Sequence, residues 1–271
     1  MSPPFRIADG LYYVGGREIA SYLIETTDGS ILINSGLRLS VRLIEANLRE
    51  LQLRFKEIKV LLISHAHVDH CAGSAKVKEL FRDVQYKVMK GDVDVVESGG
   101  RTDFAFGSCP PFHFPPVRVD EVLEDGSEVT LGGVVLTAHR TPGHTRGCTT
   151  WTMRVQDGNA SYDTVIVGSA SVIPGYRLVG NEAYPEIADD YARTFQVLRS
   201  LPCEIFLSAH GRSFDLWKKY HRMMGNEPAP FVDPEGYRAH VDRMEAAFRR
   251  KLERQQRGLV PPTCRWLRPN S

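Results

Sequence analysis

The chain has 271 residues, of which 42% are hydrophobic and 25% are charged, a balance typical of folded globular domains. The formal net charge of +1 gives no overall attraction to nucleic acid, so we expect no nucleic-acid partner. No run of eighteen apolar residues occurs, and residues 1–5 lack the basic and apolar regions of a secretory signal. We therefore expect neither a membrane-spanning helix nor a leader in this sequence.

In chain order, the first elements predicted are three strands and a helix. Three apolar runs separated by turn-forming residues predict strands over 11–14, 20–25 and 30–34, with a hairpin turn at Asp28-Gly29. Apolar residues at helical spacing then predict a helix over 38–53.

A second unit begins with the continuous apolar run KVLLI at 59–63, which predicts a strand buried on both faces. A helix over 74–81 and a strand over 85–89 follow it. Residues 99–116 are rich in glycine, proline and phenylalanine and lack periodicity, so we expect a long loop there. Loops of this length are usually either functional or disordered.

The second half of the chain is predicted to consist of strands followed by helices. The strands are predicted over 117–122, 128–131, 134–139, 149–155, 164–167 and 204–208, and the helices over 187–200 and 237–256. Each half of the chain contains a strand that ends in histidine. We therefore expect one domain over residues 1–271, an α/β protein whose two sheets pack face to face with helices outside.

The five cysteines are widely spaced and form no Cys-x-x-Cys pair. This pattern favours mostly buried free thiols. A single bridge between Cys203 and Cys264 is the alternative.

A cluster of potential metal ligands follows the predicted strand at 59–63. Residues 65–70 read His-Ala-His-Val-Asp-His, so three imidazoles and one carboxylate occur within six residues at the carboxyl end of a buried strand. If the chain stays extended, His65 and His67 project to the same side and reach one ion. Asp69 and His70, on the following turn, then reach a second ion. Imidazole and carboxylate together suit zinc.

Two further histidines stand at the ends of later strands. His144 follows the tight turn signal Pro142-Gly143, and His210 follows the last predicted strand. With the cluster they complete two sets of three ligands. The first set is His65, His67 and His144, and the second is Asp69, His70 and His210. Three protein ligands per zinc leave positions open for water and substrate, as in catalytic sites. The other histidines are interpreted as non-ligands: His113, His139, His221 and His240.

The motif at 65–70, Gly143-His144 and the strand-end His210 resemble the metallo-β-lactamase superfamily over essentially the whole chain. The resemblance implies an αββα sandwich and two Zn²⁺ ions per chain. It does not by itself select a substrate, because the superfamily includes thioesterases, lactonases, nucleases and β-lactamases.

Ser169 narrows the range of substrates expected within this superfamily. Many members carry at this strand end an aspartate that bridges both metals, and a neutral serine is a poor replacement, so His70 is expected to serve the second metal. This arrangement is similar to subclass B3 metallo-β-lactamases. Further segments carry the same similarity: residues 143–152, 174–178 and 184–191.

The similarity to subclass B3 implies hydrolysis of the β-lactam amide bond of penicillins, cephalosporins and carbapenems, and hence antibiotic resistance, by water activated between two zinc ions. It implies that Asp69 orients this water and that Ser169 and Ser171 bind the substrate carboxylate. It also implies that Tyr176 donates a hydrogen bond to the developing oxyanion.

The family also implies a monomer located in the periplasm or outside the cell, although the absence of a signal in this sequence leaves the cytoplasm open. The chain departs from the family at Asn34, where many members have aspartate, and this substitution is expected to alter a contact behind the ligands. Cys203 matches a half-cystine of some subclass members, whereas Tyr237 stands at the partner position, so a family disulfide is not expected.

Two alternatives remain at this stage. The first is another hydrolase of the superfamily, acting on a lactone, thioester or phosphodiester, and the missing carboxylate at Ser169 argues against it. The second is a structural zinc protein, which the open coordination positions disfavour.

Overall fold

The computed structural model describes residues 3–53 and 58–259, and two β-sheets form its centre. The first sheet has seven strands in the order in which they occur along the chain. They are β1 (Phe5–Ala8), β2 (Leu11–Tyr13), β3 (Tyr22–Thr26), β4 (Gly29–Ile33), β5 (Ile58–Leu62), β6 (Gln85–Met89) and β7 (Glu121–Leu123). Strands β1 to β4 pair antiparallel, and β4 to β7 pair parallel.

The second sheet has five strands, in the spatial order β12-β11-β10-β9-β8. They are β8 (Glu128–Leu131), β9 (Val134–Arg140), β10 (Thr149–Asp157), β11 (Ala160–Val167) and β12 (Ile205–Ser208). The first four pair antiparallel, and β12 adds to β11 in parallel. Both sheets therefore contain parallel strands whose carboxyl ends carry loops at one edge, where α/β proteins place their ligand sites.

Seven α-helices cover the two outer faces of the described chain. They are α1 (Ser40–Glu50), α2 (Val68–Cys71), α3 (Ser74–Leu80), α4 (Val93–Glu97), α5 (Ile187–Ser200), α6 (Leu216–Met224) and α7 (Pro234–Gln256). Apolar residues of α1, α3 and α4 share one core with the first sheet, and those of α5 and α7 share a second core with both sheets. The four layers confirm the αββα sandwich that the sequence predicted.

Strand alternation explains why two cores form. In β4, Ile31 and Ile33 enter the core between the sheets, whereas Leu32 faces the helices on the other side. In β5, Leu62 likewise enters the core between the sheets, and Leu61 faces the helices. Because successive side chains of a strand point to opposite faces, a continuous apolar run fits a strand that is covered on both sides.

Most predicted elements are confirmed, with boundaries shifted by a few residues. The hairpin between β3 and β4 turns at Thr27-Asp28, with Gly29 opening the second strand. The strand predicted over 117–122 is wrong in extent, because pairing with β6 involves only Glu121–Leu123. Residues Val117 and Val119 are nevertheless buried, so their apolar character reflects packing and not strand pairing. The sequence analysis missed four elements: β1, α2, α4 and α6.

The cysteines within the described residues are free thiols. Cys71, Cys109 and Cys148 are buried, and Cys203 is partly buried, as expected for thiols that pack as small apolar groups. Cys264, the alternative bridge partner of Cys203, lies outside the described residues. Tyr237 is buried and donates a hydrogen bond to the Leu198 carbonyl oxygen at 2.6 Å. Among the described helices, none is long and apolar enough to cross a membrane.

Candidate metal centre

The histidine cluster begins three residues after β5 ends, where the chain leaves the first sheet. Asn34, which follows β4, fixes this exit point: its Oδ1 accepts from the Ser64 backbone N–H at 2.7 Å, and its Nδ2 donates to Ser64 Oγ at 2.8 Å. Thr149, the first residue of β10, donates its N–H to the Ser64 carbonyl oxygen at 2.8 Å. The segment that carries His65 is therefore tied to both sheets. The sequence predicted an altered contact behind the ligands at position 34. The amide of Asn34 fills this position with two hydrogen bonds to Ser64.

Three imidazoles converge at the first of two ligand groups. Nitrogen atoms of His65, His67 and His144 lie within 4.8 Å of one another, and all three side chains are buried. The ring centroids of His65 and His144 are 4.5 Å apart, and those of His67 and His144 are 4.8 Å apart. The structure thus brings together the three histidines that the sequence analysis placed in one set.

The second group is a tight triangle of ligand atoms. Asp69 Oδ2 lies 3.3 Å from His70 Nε2 and 3.5 Å from His210 Nε2, and the two imidazole nitrogens are 3.2 Å apart. His65 also approaches this group, because its ligand atom lies within 4.8 Å of those of Asp69 and His70. The ligand atoms of Asp69, His70 and His210 all lie within 3.5 Å of one another, so these three residues form the second group.

The triangle has the dimensions of a tetrahedral zinc site. With zinc–ligand bonds of about 2.0–2.2 Å, ligand atoms at tetrahedral corners lie roughly 3.3–3.6 Å apart. The Asp69, His70 and His210 atoms are 3.2–3.5 Å apart. Imidazole nitrogen and carboxylate oxygen are donors that zinc accepts. The residues present therefore fit a metal ion in both shape and chemistry.

Burial keeps four imidazoles of the two ligand groups neutral: His65, His67, His144 and His210. Removal from water, reinforced for most of these rings by the neighbouring imidazoles, lowers the pKa of His67 to about 4, of His144 to about 3 and of His210 to about 4. The pKa of His65 is also well below its ordinary value, for the same reason. A neutral imidazole has a free lone pair, which is the form that binds metal.

Asp69 is ionised within this cluster. Burial opposes its ionisation, but the charge interaction and hydrogen bond with His70 overcome this and hold the pKa of the carboxyl well below its ordinary value. This buried carboxylate provides the negative charge that a divalent cation requires.

Asp92 joins the two loops that carry the first ligand group, and the sequence analysis missed it. Its Oδ2 accepts from the Ala66 N–H and from Thr145 Oγ1, both at 2.8 Å, and its Oδ1 accepts from the Gly147 N–H at 2.8 Å. The side chain is buried, and burial raises its pKa to about 6. An isolated aspartate before a short helix carries no signal of this role, because its three partners come from distant parts of the chain.

The orientation of His144 is fixed from behind. Its Nδ1 lies 2.8 Å from the Ser171 carbonyl oxygen, and because a carbonyl can only accept, Nδ1 is the protonated nitrogen. Nε2 is then the nitrogen with a free lone pair. Tyr191 donates its hydroxyl to the same carbonyl oxygen at 2.8 Å. Gly143 (φ 118°) allows the turn, since a Cβ there would lie 2.7 Å from the Tyr191 ring.

The two serines predicted to bind substrate lie beside the first ligand group. Ser169 Oγ and Ser171 Oγ are 3.1 Å apart, and Ser171 Oγ is 3.4 Å from His144 Nδ1. Both residues line the cavity above the histidines. No carboxylate occupies position 169, so this position offers no bridging ligand.

Tyr176 lies behind the cavity wall. Its side chain is 2% exposed, and its hydroxyl donates to the His144 carbonyl oxygen at 2.8 Å and lies 3.4 Å from His67 Nε2. It is not among the residues that line the cavity. In this arrangement the hydroxyl supports the two histidine loops, and the predicted oxyanion role remains a prediction.

Both ligand groups open into one cavity of about 750 Å³. The loop over 99–116 contributes Phe106, Phe112 and Phe114 to its wall. The opposite wall comes from Ile173 and from α7. A cavity of this size with apolar walls and a few polar groups at its base is typical of small-molecule sites.

The remaining histidines take no part in either ligand group. His113 Nε2 lies 2.9 Å from the Gly107 carbonyl oxygen, and His139 Nε2 lies 2.8 Å from Thr152 Oγ1. His221 is exposed on α6. His240 is buried on α7 and lines the cavity, although the sequence analysis assigned it no role.

Comparison with known proteins agrees with this geometry. A family model described as the metallo-beta-lactamase superfamily matches residues 14–210, a segment that includes every residue of both ligand groups. The native FEZ-1 metallo-beta-lactamase from Legionella gormanii is 49% identical, with a TM-score of 0.93 over 94% of this chain and 97% of that chain. The class B3 di-zinc metallo-beta-lactamase LRA-12 from an Alaskan soil metagenome is 32% identical, with a TM-score of 0.87 over 92% of this chain and 94% of that chain.

Matches among curated sequences are shorter. A protein from Burkholderia pseudomallei (strain 1710b) named "Probable metallo-hydrolase" is 27% identical over 127 residues, which is 44% of this chain and 40% of that protein. The chain thus spans less than half the length of the curated relatives it matches. The solved structures, in contrast, match over almost their whole length, and the family model covers most of the chain. The chain belongs to the metallo-beta-lactamase superfamily.

Proposed function

We propose that this chain hydrolyses the amide bond of β-lactams at a two-zinc centre, as an enzyme of subclass B3. The observation that carries the proposal is the triangle of Asp69, His70 and His210 beside the three-histidine group, in one cavity and without a carboxylate at position 169. The 49% identity to FEZ-1 and the likeness to the class B3 enzyme LRA-12 support it.

Each ligand group would hold one zinc ion. His65, His67 and His144 form the first site, and Asp69, His70 and His210 form the second. When bound, zinc acts as a Lewis acid and lowers the pKa of water from about 15.7 to about 7. Because burial keeps His65, His67, His144 and His210 neutral, no proton has to leave these four imidazoles before metal binds.

The chain's own residues orient the reactants. Asp69 accepts a hydrogen bond from the attacking water and directs it toward the lactam carbonyl carbon, so no covalent enzyme intermediate is needed. Asp92 holds the two histidine loops at a fixed separation through its three hydrogen bonds. Such contacts behind the ligands normally account for 10- to 100-fold effects on metal affinity or activity, roughly.

Substrate binding depends on the cavity walls. Ser169 and Ser171 donate hydrogen bonds to the carboxylate on the lactam nucleus, because both hydroxyls lie beside His144 and face the cavity. The phenylalanines of the 99–116 loop cover the site and reduce its contact with water. Tyr176 acts as a positioning residue for the His67 and His144 loops.

The alternative substrates of the superfamily are lactones, thioesters and phosphodiesters. The geometry favours a β-lactam because Ser169 supplies no bridging carboxylate and because the relatives of known structure are β-lactamases. We further propose that the substrate is the only partner, that the chain acts as a monomer, and that it works outside the cytoplasm, where it would confer resistance.

A substrate panel with and without zinc tests the proposed function. The purified chain is assayed on a penicillin, a cephalosporin, a carbapenem, a lactone, a thioester and RNA. We expect hydrolysis of β-lactams that is lost after chelation and restored by zinc. Activity that survives exhaustive metal removal, or faster turnover of a lactone, thioester or RNA, would overturn the proposal.

A further inference from the structure

The cavity above the ligand groups extends to a wall that the proposed reaction does not use. Three residues of α7 line it: His240, Arg243 and Met244. Their spacing of three and four residues places them on one face of the helix. Arg212 and Ser213, in the 3-10 helix directly after His210, line the cavity next to them.

This wall carries the positive charge of the cavity. Among the residues that line it, the charged side chains are Asp69, Asp103, Arg212 and Arg243. Asp69 belongs to the second ligand group, and Asp103 is buried beside His67, where its Oδ1 accepts two backbone N–H groups. Both carboxylates therefore lie among the histidines of the ligand groups, whereas Arg243 lies on α7 and Arg212 lies in the 3-10 helix two residues after His210.

Arg243 has no carboxylate partner within the described chain. The acids nearest to it in sequence, Asp242 and Glu245, form ion pairs with Arg199 on α5, and Glu245 also pairs with Arg249. Arg212 has one partner, Glu18, whose carboxylate lies 3.2 Å from Arg212 Nε. Arg243 is thus the unneutralised cation of this wall, and Arg212 is partly neutralised.

The wall is rigid enough to act as a binding surface. Val241 and Phe248 of α7 are buried in the core, and the Phe248 ring stacks on Tyr191 with centroids 5.4 Å apart. The His240 ring lies 5.2 Å from the Phe206 ring on β12. Because these contacts pack α7 against the core, the backbone of Arg243 has a fixed place beside the cavity, and its exposed side chain is open to a ligand.

We propose that Arg243, assisted by Arg212, forms an anion subsite that binds a carboxylate on the side chain of a β-lactam substrate. This inference rests on the proposed function and adds to it a class of preferred substrate, the β-lactams with two carboxylates. A guanidinium matches a carboxylate through two parallel hydrogen bonds, which makes arginine suited to this recognition.

The carboxylate on the lactam nucleus of the substrate is not the group that this subsite binds. It is attached to the ring system a few bonds from the scissile carbonyl, so it stays close to the metal groups, where Ser169 and Ser171 lie beside His144. The side chain of the substrate is longer and freely rotating. In a cavity of about 750 Å³ it has room to reach the α7 wall.

Two penicillins that differ by one carboxylate test the subsite. Benzylpenicillin and α-carboxybenzylpenicillin are assayed with the zinc-loaded protein and its Arg243→Gln variant. We expect the substitution to raise KM for the dicarboxylate about fivefold, the size typical of a solvent-accessible ion pair, and to leave kcat and the benzylpenicillin KM nearly unchanged. The effect should shrink in high salt. Arg212→Gln should give a smaller change in the same direction.

Arg250→Gln is the matched control, because Arg250 is exposed on the same helix but does not line the cavity. Equal effects of Arg243→Gln on both penicillins, or the same selective effect from Arg250→Gln, would overturn the subsite. If the wild-type chain hydrolyses neither compound, nor the cephalosporin and carbapenem of the substrate panel, the proposed function fails. The subsite is then tested by titration calorimetry of both intact penicillins on the zinc-loaded proteins, where a loss of affinity confined to the dicarboxylate supports it and equal affinities contradict it.

Discussion

His70 Nε2 and His210 Nε2 lie 3.2 Å apart, although 140 residues separate them along the chain. His70 is on α2, directly after the exit from β5 in the first sheet, and His210 follows β12 in the second sheet. The ligand groups are therefore assembled where the two sheets meet, and neither sheet alone carries a complete set. Because each ligand group needs residues from both sheets, metal binding reports whether the two sheets are correctly packed against each other.

Loss of His210 should remove one metal ion and leave the other. In His210→Ala the second group keeps only Asp69 and His70 as close ligands, whereas the three-histidine group is intact. We expect zinc content to fall from two ions to one per chain and kcat/KM to fall at least 100-fold, roughly the effect of removing a metal ligand or its support. Elemental analysis and steady-state kinetics measure both. His221→Ala, an exposed histidine on α6, is the control, and retention of two ions in His210→Ala would contradict the assignment.

Asp92→Asn should weaken the site without removing a ligand. An amide offers one acceptor atom where the carboxylate offers two, so at least one of the donors from Ala66, Thr145 and Gly147 loses its partner. We expect a loss of about 1–3 kcal/mol in the free energy of unfolding, the typical cost of an unsatisfied buried group. Zinc affinity should fall about tenfold. Denaturant unfolding and zinc titration test this.

Asp94→Asn provides the comparison for Asp92→Asn, because Asp94 is an exposed residue in the first turn of α4, the helix that Asp92 precedes. It should leave both the free energy of unfolding and the zinc affinity unchanged. Equal behaviour of the two variants would mean that Asp92 does not position the loops.

Tyr176→Phe separates a positioning role from an oxyanion role. The hydroxyl donates to the His144 carbonyl oxygen from a buried position, so its removal should lower the free energy of unfolding by about 1–2 kcal/mol. We expect kcat on β-lactams to stay within about threefold, because loss of an oxyanion donor would cost roughly 100-fold or more. A large fall in kcat with unchanged stability would favour the oxyanion role instead.

The metal-free chain should lose stability as the pH falls from about 6.5 to about 4. Burial lowers the pKa of His67, His144 and His210 to about 3–4, whereas the unfolded imidazoles keep their ordinary values near 6.5. In this window the unfolded state binds more protons, so unfolding becomes more favourable. Asp92, whose pKa is raised to about 6, and Asp103, whose pKa burial also raises, act in the opposite direction, but the histidines with a lowered pKa are more numerous.

Urea unfolding of the chelated chain at pH 7 and pH 5 measures this effect of the histidines. The zinc-loaded chain at both pH values is the reference, because bound metal adds stability by mass action and holds the imidazoles neutral. If the metal-free chain is as stable at pH 5 as at pH 7, or more stable, the histidines do not control the loss of stability in acid.

The sequence by itself determined the ligand types and their grouping. The motif at 65–70 is local: alternation along an extended segment fixes the relation of His65 to His67, and the next turn fixes Asp69 and His70. The sequence also predicted that His144 and His210 stand after the ends of strands, because an apolar run precedes each of them. The continuous apolar run before His65 also predicted a strand covered on both faces, and from such runs the layered fold followed.

Only the tertiary structure decided which residues support the ligands and where substrate can reach. Asp92 meets Ala66 and Gly147 across 26 and 55 residues, and Tyr176 meets His144 across 32. Arg243 enters the cavity because α7 packs against β12 and the adjoining 3-10 helix. Such contacts depend on the packing of distant elements, and a single buried aspartate or exposed arginine leaves no periodic pattern in the chain that would reveal its partner.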